Sequence, residues 1–531
     1  MTILSRPTFA MSLLGALFCS TPPPAVEPGP RPASAGSTLV VLLTVDQLRQ
    51  DYLDKWHDQF TGGLRRLVDS GAYFTNAHHD HAITETAPGH ASLLSGRFPR
   101  STGITRNLAG VNDANAPLLG VVGPGASPFR FRGTTLVDWL ATADRRSRVL
   151  SVSVKDRGAI LPVGRSKQEV YWFVGGTFTT SRYYADSLPG WVMAFAARRL
   201  PERSAGRVWD LLLPVASYPE PDSVPIENRG LNLTLPKVLP PDSARAAQVL
   251  PGTPFMEEVL VAFALEGVER LGLGRGPQTD VLAISFSSTD YIGHAYGPDS
   301  RELHDQVVRL DRQIGVLLDS LFKLRDPDDI VIALAGDHGV TPFPELSQQR
   351  YSPPPQRVNV RPAIAAARAV LQLGGVDTLA VDLESGSLVI DRSHPGMTAE
   401  LVGTAADSFV AVAKRTPGVL RAERFGMLSR HDLGKDPIAR RWVQMFPPEV
   451  PVEAVVVLTP GSYWDAATIA MHGGPHDDDS HVPIIFFGSP FKPGKYDQFT
   501  RTVDIAPTLA QVLGVTPAEP LDGRVLKVAI R

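Results

Sequence analysis

The chain has 531 residues, 43% of them hydrophobic and 20% charged, and a formal net charge of −3. These values suit a globular protein with a large core. They give no electrostatic reason to expect nucleic acid as a specific partner. Past the N-terminus no apolar run reaches the length of a membrane span.

The first twenty residues read as an export signal. Arg6 precedes the short apolar run "FAMSLLGALFC", and residues 21–37 form a linker rich in Pro, Ser and Gly. The expected location is the periplasm or the medium. A lipid anchor on Cys19 is the lesser alternative, because Leu17 and Phe18 are bulky where small residues are wanted. Cys19 is the single cysteine, so the mature chain is expected to lack disulfide and thiol chemistry.

Ordered sequence is expected from Thr38. Five β-rich runs follow: "TLVVLLTVD", "RVLSVSVKD", "DVLAISFSSTD", "DIVIALAGD" and "VPIIFFG". Helical patterns cover Gly62 to Ser70, Phe255 to Leu271 and Arg301 to Leu324. The alternation predicts an α/β sandwich with a mostly parallel central sheet between helices. Two stretches break the rhythm, residues 161–254 and 342–460. They are expected to be insertions that cap one edge of the sheet.

Four of the five runs end in an acid: Asp46, Asp156, Asp290 and Asp337. Ligands of open parallel sheets bind beyond the carboxyl ends of the strands. Histidines accompany these acids. His294 follows Asp290 at i,i+4 spacing, on one face of a helical turn. His338 follows Asp337 directly, between glycines, and His481 stands before the last strand. Carboxylates and imidazoles together suit a borderline divalent metal, zinc before others. His472 and His476, in "MHGGPHDDDS", are expected to lie in a solvated loop, with a spare metal ligand as the lesser alternative. The stretch "ITETAPGHAS" places Thr86 ahead of Ala87 and Pro88, where a helix start exposes N–H groups to an anion. His90 is expected to pack or bond locally, and Thr84 to be a strand-end or capping residue. Lys155 and Arg157 lie two apart on a stretch expected to be extended, which would point both to one side.

As a set, "TVDQLRQDYL", "TETAPGHASLLSG", "GITRN", "SVKDRGAILPVG", "TDYIGHAYGP", "GDHGV" and "DSHVPIIFFG" resemble the motifs of the alkaline phosphatase superfamily. The likeness is to its phosphate-irrepressible monoesterase type and runs from Thr38 to the C-terminus. It implies an alkaline-phosphatase-like catalytic domain over residues 38–531 that hydrolyses small phosphate monoesters. It implies Thr86 as a nucleophile that becomes phosphothreonine, and two Zn2+ per chain. Asp46, Thr86, Asp337 and His338 would hold one ion, and Asp290, His294 and His481 the other. Lys155, Arg157 and Asn107 would clamp the free phosphate oxygens. The alternative is a phosphodiesterase of the same superfamily, which the two cations beside the nucleophile disfavour. A sulfatase would need Cys or Ser in place of Thr86. A cofactor-independent mutase is disfavoured by the export signal, and a non-catalytic binding protein by the metal-ligand set around Thr86.

Overall fold

The computed structural model describes residues 39–531. The signal segment and the linker lie outside the described residues.

The β-branched runs form a ten-stranded sheet among the described residues. Strand Leu39–Val45 lies at its centre, every residue buried. It pairs in parallel with Asp280–Phe286 on one side and Ile330–Gly336 on the other. Val149–Ser153 and Glu169–Val174 extend the sheet in parallel beyond Asp280–Phe286. The strand His481–Phe487 enters antiparallel between Ile330–Gly336 and Ala72–His78. The sheet is therefore mixed but mostly parallel.

Both faces are covered, as a buried parallel sheet requires. The side chains of the central strand alternate between two cores. Leu39, Val41, Leu43 and Val45 pack under the helices Phe255–Leu271 and Arg301–Leu324. Val40 and Leu42 pack with Ala87, Ala91 and Leu509 from the helices Thr86–Ser95 and Ile505–Leu513. No helix among the described residues is long and apolar enough to cross a membrane.

The two arrhythmic stretches behave differently from one another. Part of the first does not form a cap: Glu169–Val174 and Thr177–Thr179 become the edge of the central sheet. Tyr171 and Trp172 explain this, since they point to opposite faces and are both buried in the two main cores. The second stretch builds its own four-stranded antiparallel sheet from Val381–Glu384, Ser387–Ile390, Val419–Arg424 and Val452–Leu458. Helices Arg361–Leu373 and Ala399–Ala413 cover it, giving a separate core around Ala367, Phe409 and Val456.

Register places the site. Val45 is level with both Phe286 and Gly336. The next residues, Asp46 and Asp337, therefore emerge side by side at the carboxyl edge. Ser153 is level with Ser285, so Lys155 reaches the same height two residues later.

One helix pair is held at unusually close range. Asp311, on helix Arg301–Leu324, accepts from the N–H groups of Thr61, Gly62 and Arg65 and so caps helix Gly63–Ser70. A Cβ at Gly63 would lie 2.3 Å from Ile314 Cγ2 and 2.6 Å from the Ile314 carbonyl carbon. Gly63→Ala is thus expected to force the helices apart and cost about 1–3 kcal/mol. The midpoint of chemical denaturation should fall while activity in the folded range persists. An unchanged midpoint would show that the helices separate freely.

Candidate active site

The carboxyl edge of the sheet carries three buried carboxylates. Asp46 and Asp337 are fully buried and Asp290 is 3% exposed. Asp290 comes from the first turn of helix Ser288–Tyr296, which follows strand Asp280–Phe286. Lys155 Nζ lies 2.6 Å from Asp46 Oδ2 and 2.6 Å from Asp290 Oδ2. Burial alone would lower the lysine pKa, but Asp290 and Asp46 raise it above the ordinary value. Burial and repulsion from Asp290 and Asp337 push the Asp46 carboxyl up. One ammonium does not balance three carboxylates confined away from water.

Three imidazoles converge on them with a common arrangement. His294 Nδ1 is 2.6 Å from the carbonyl of Ala470, His472 Nδ1 is 2.8 Å from that of Thr84, and His338 Nδ1 is 2.9 Å from that of Gly339. Only a protonated Nδ1 can donate to a carbonyl, so each ring presents Nε2 to the cluster. His294 Nε2 is 3.3 Å from Asp290 Oδ1, and His338 Nε2 is 3.4 Å from Asp46 Oδ1. His294 and His472 face each other through their Nε2 atoms at 3.2 Å. Two ring nitrogens at that separation need a proton or a metal ion between them. Burial would lower the His338 pKa, but Asp337 and Asp46 lift it to about 9. His472 is driven the other way, by burial and by His338 and His294 beside it.

The donor set fits divalent metal. Ligand atoms of Asp46, Asp337 and His338 lie within 4.8 Å of one another, and so do those of Asp290, His338 and His472. Both Asp46 carboxylate oxygens and Asp337 Oδ2 are buried with no aligned hydrogen-bond donor. Mixed nitrogen and oxygen ligands, in two adjoining groups, are what zinc accepts.

Thr86 opens helix Thr86–Ser95, all of whose residues are buried. Its Oγ1 is 3.4 Å from Lys155 Nζ and 3.4 Å from His338 Nε2. Thr84 instead donates to the carbonyl of Gly474, at 2.8 Å. His90 is a support, its Nδ1 3.1 Å from Asp337 Oδ2 and its Nε2 2.8 Å from Ser285 Oγ. The Asn107 carboxamide oxygen accepts from Ala87 N–H at 2.9 Å, which leaves the amide hydrogens as its free end. Glu85 fixes the Asn107 backbone through a 2.7 Å bond.

Five expectations need correction. His481 does not join the cluster. It is the first residue of its strand, its Nε2 bonded to the carbonyl of Thr75 and its ring stacked on His78 at 4.6 Å. His472 stands where His481 was expected, stacked on His338 at 3.7 Å. His476 is no solvated residue either, since its Nε2 lies 2.8 Å from the Leu458 carbonyl. Asp156 faces Arg157 and not the other acids, with 3.6 Å between the charged atoms. Last, the extended stretch ends at Lys155. Arg157 lies in the short helix Asp156–Ile160, with Lys155 as its N-cap. Strand alternation therefore does not orient Arg157. Its charge is nonetheless felt by Lys155 and by Tyr291, and its Nε is buried without a partner.

Gln47, within "TVDQLRQDYL", is a site residue that no sequence pattern marks. Its backbone N–H donates to Asp337 Oδ1 and its side-chain amide to Asp290 Oδ1, both at 3.0 Å. It thereby links the two ligand groups. It does so from a left-handed backbone conformation, φ 68°, which is costly for a residue other than glycine.

The family model described as type I phosphodiesterase / nucleotide pyrophosphatase matches residues 40–353. Alkaline phosphatase PhoK of a Sphingomonas species is 30% identical over 527 residues, covering 93% of this chain and 91% of that protein. Alkaline phosphatase PhoV of Synechococcus elongatus is 28% identical over 97% of this chain and 98% of its own. The crystal structure of wild-type alkaline phosphatase PafA superimposes with a TM-score of 0.85 at 26% identity, over 93% of this chain and 99% of that one.

The geometry separates two histidines by an assay of metal content. His472→Ala is expected to lower the divalent metal bound per purified chain, because it removes one of the facing imidazoles. His481→Ala should leave metal content unchanged. The reverse pattern would restore His481 as a ligand.

Proposed function

The chain belongs to the type I phosphodiesterase / nucleotide pyrophosphatase family of the alkaline phosphatase superfamily, and from that premise we propose that it is an exported alkaline phosphatase that hydrolyses small phosphate monoesters through Thr86. The observation that carries this reading is Lys155. Its ammonium lies 3.4 Å from the Thr86 hydroxyl, at the start of a buried helix, beside the convergent carboxylates and imidazoles.

Asp46, Asp337 and His338, with Thr86, would hold one zinc ion, and Asp290, His294 and His472 the other. Such ions supply Lewis-acid stabilisation of oxygen anions. The protein supplies the rest. The Thr86 oxygen gives up its proton and bonds to phosphorus while the bond from phosphorus to the alcohol oxygen breaks. The departing oxygen takes up a proton and leaves as the alcohol. Water then displaces the threonine oxygen, releasing phosphate and restoring the hydroxyl. Throughout, the Thr86 N–H at the start of helix Thr86–Ser95 and the Asn107 amide offer hydrogen bonds to the phosphoryl oxygens, while the Ala87 N–H stays on Asn107.

Lys155 and Arg157 bring two positive charges to one substrate group. A monoester dianion repays both; a diester, with one charge fewer, repays less. The export reading rests on Arg6, the apolar run and the Pro-rich linker. A second reading, phosphodiesterase, is favoured by the description of the matching family model.

Thr86→Ala is expected to remove the phosphoenzyme trapped with labelled substrate at acid pH and to cut turnover by several orders of magnitude, with zinc largely retained. Label recovered on Thr84 would move the nucleophile. The specificity experiment compares kcat/KM for an aryl monoester and the matching diester. A charge-assisted hydrogen bond contributes about 1.5–3 kcal/mol, so the pair Lys155→Ala with Arg157→Ala should lose monoester activity more than about tenfold and diester activity little. Zinc content is measured alongside, because Lys155 also touches Asp46 and Asp290. A wild type that prefers the diester would promote the second reading.

A further inference from the structure

A cavity of about 300 Å³ opens beside the reaction centre. Two of its lining residues belong to that centre's immediate surroundings. Glu85 directly precedes Thr86, and His472 is one of the three convergent imidazoles. The far walls are Trp442, Val456, Leu458, Tyr463, Trp464 and Met471. All six come from the second arrhythmic stretch or the loop after it, none from the central sheet.

The chemistry of the walls is selective. Several of the polar groups that reach the cavity are already committed to hydrogen bonds. Glu85 Oε1 accepts from Ser385 at 2.8 Å and Oε2 from the Asn107 N–H at 2.7 Å. Thr341 donates to Asp479 at 2.7 Å, Tyr463 donates to the Thr341 carbonyl at 2.5 Å, and His476 is bonded to the Leu458 carbonyl. What remains for an occupant is more apolar and aromatic than polar surface. A cavity of ~150 Å³ accepts benzene, so this one has room for a substituted ring.

Its position relative to the reacting atoms narrows the occupant further. The alcohol oxygen leaves from the side of the phosphorus opposite Thr86 in an in-line displacement. On the proposed ligand grouping, that side belongs to Asp290, His294 and His472. His472 also forms the near wall of the cavity. An organic group attached to the departing oxygen leaves beside the residue that the reaction centre and the cavity share.

We propose that this cavity is a leaving-group subsite that selects monoesters carrying an aromatic ring over those of short alkyl alcohols. The proposal rests on the phosphatase reading, and its test has a readout independent of turnover. Non-hydrolysable phosphonates are titrated calorimetrically into the zinc-loaded protein. Benzylphosphonate places a ring where an aryl monoester carries its own, and methylphosphonate leaves the cavity unfilled. Wild type should bind benzylphosphonate at least about tenfold more tightly than methylphosphonate, as burial of one ring implies. Trp464→Ala, which removes a wall, and Leu458→Trp, which fills the space, should each shrink the ratio to about threefold or less. Both should leave methylphosphonate affinity unchanged. Equal binding of the two phosphonates by wild type would overturn the subsite, as would a preference that survives both substitutions. If the ring preference is present but no monoester is turned over, the phosphatase reading fails, the cavity remains a ring-binding site and its leaving-group role is overturned.

Discussion

The contact on which the rest depends is Lys155 between Asp46 and Asp290, at 2.6 Å from each. Carboxylates taken out of water repel one another and regain protons unless positive charge is delivered among them. The parallel sheet creates the problem, since its register brings Asp46 and Asp337 out at one level. It also supplies part of the answer, because Lys155 rises from the neighbouring strand to that same level. Backbone carbonyls complete it by fixing which nitrogen each imidazole turns inward. The centre is thus charged by construction, and the fit of its donors to a cation follows from the pairing of strands.

Much of the scaffold was legible before any coordinates. Helices Phe255–Leu271 and Arg301–Leu324 end where the amphipathic pattern does. The apolar runs became buried strands because a sheet covered on both faces needs little else to declare itself. The acids at strand ends were legible for the same reason: strand geometry transmits position directly to the next residue. His472 was not legible. No strand precedes it closely. Its place depends on the bridge between Thr341 and Met471, on the bond from the Ala470 N–H to the His294 carbonyl, and on the bond from its own ring to Thr84. All three partners are remote in sequence. His481 attracted the assignment because it opens a strand at the same edge. Its neighbours Thr75 and His78 turn it away from the acids. The clue that was available is "HGG": two glycines after a histidine let a loop approach closely, and Gly473 does adopt a positive φ of 105°.

The second arrhythmic stretch shows a different limit. Its strands pair antiparallel around a core of their own, so their pattern carries no information about the central sheet. Only the folded chain reveals that Trp442 and Leu458 of this layer come within reach of Glu85 and His472 around one cavity. Chemistry and surroundings are contributed by different cores of one chain. The strand ends set what can react, and a separately packed sheet shapes the space that the rest of the reactant enters.

The left-handed turn at Gln47 carries a consequence for how such a centre can drift over generations. Its carboxamide holds Asp290 while its backbone holds Asp337. It also presses so closely on the helix Ser288–Tyr296 that a Cβ at Gly293 would fall 1.7 Å from Gln47 Oε1. A larger residue at 293 would have to expel the carboxamide, and a longer side chain at 47 would have no place without the glycine. The constraint runs one way along the chain: a smaller side chain at 47 leaves Gly293 undisturbed, whereas any side chain at 293 displaces the group that holds Asp290.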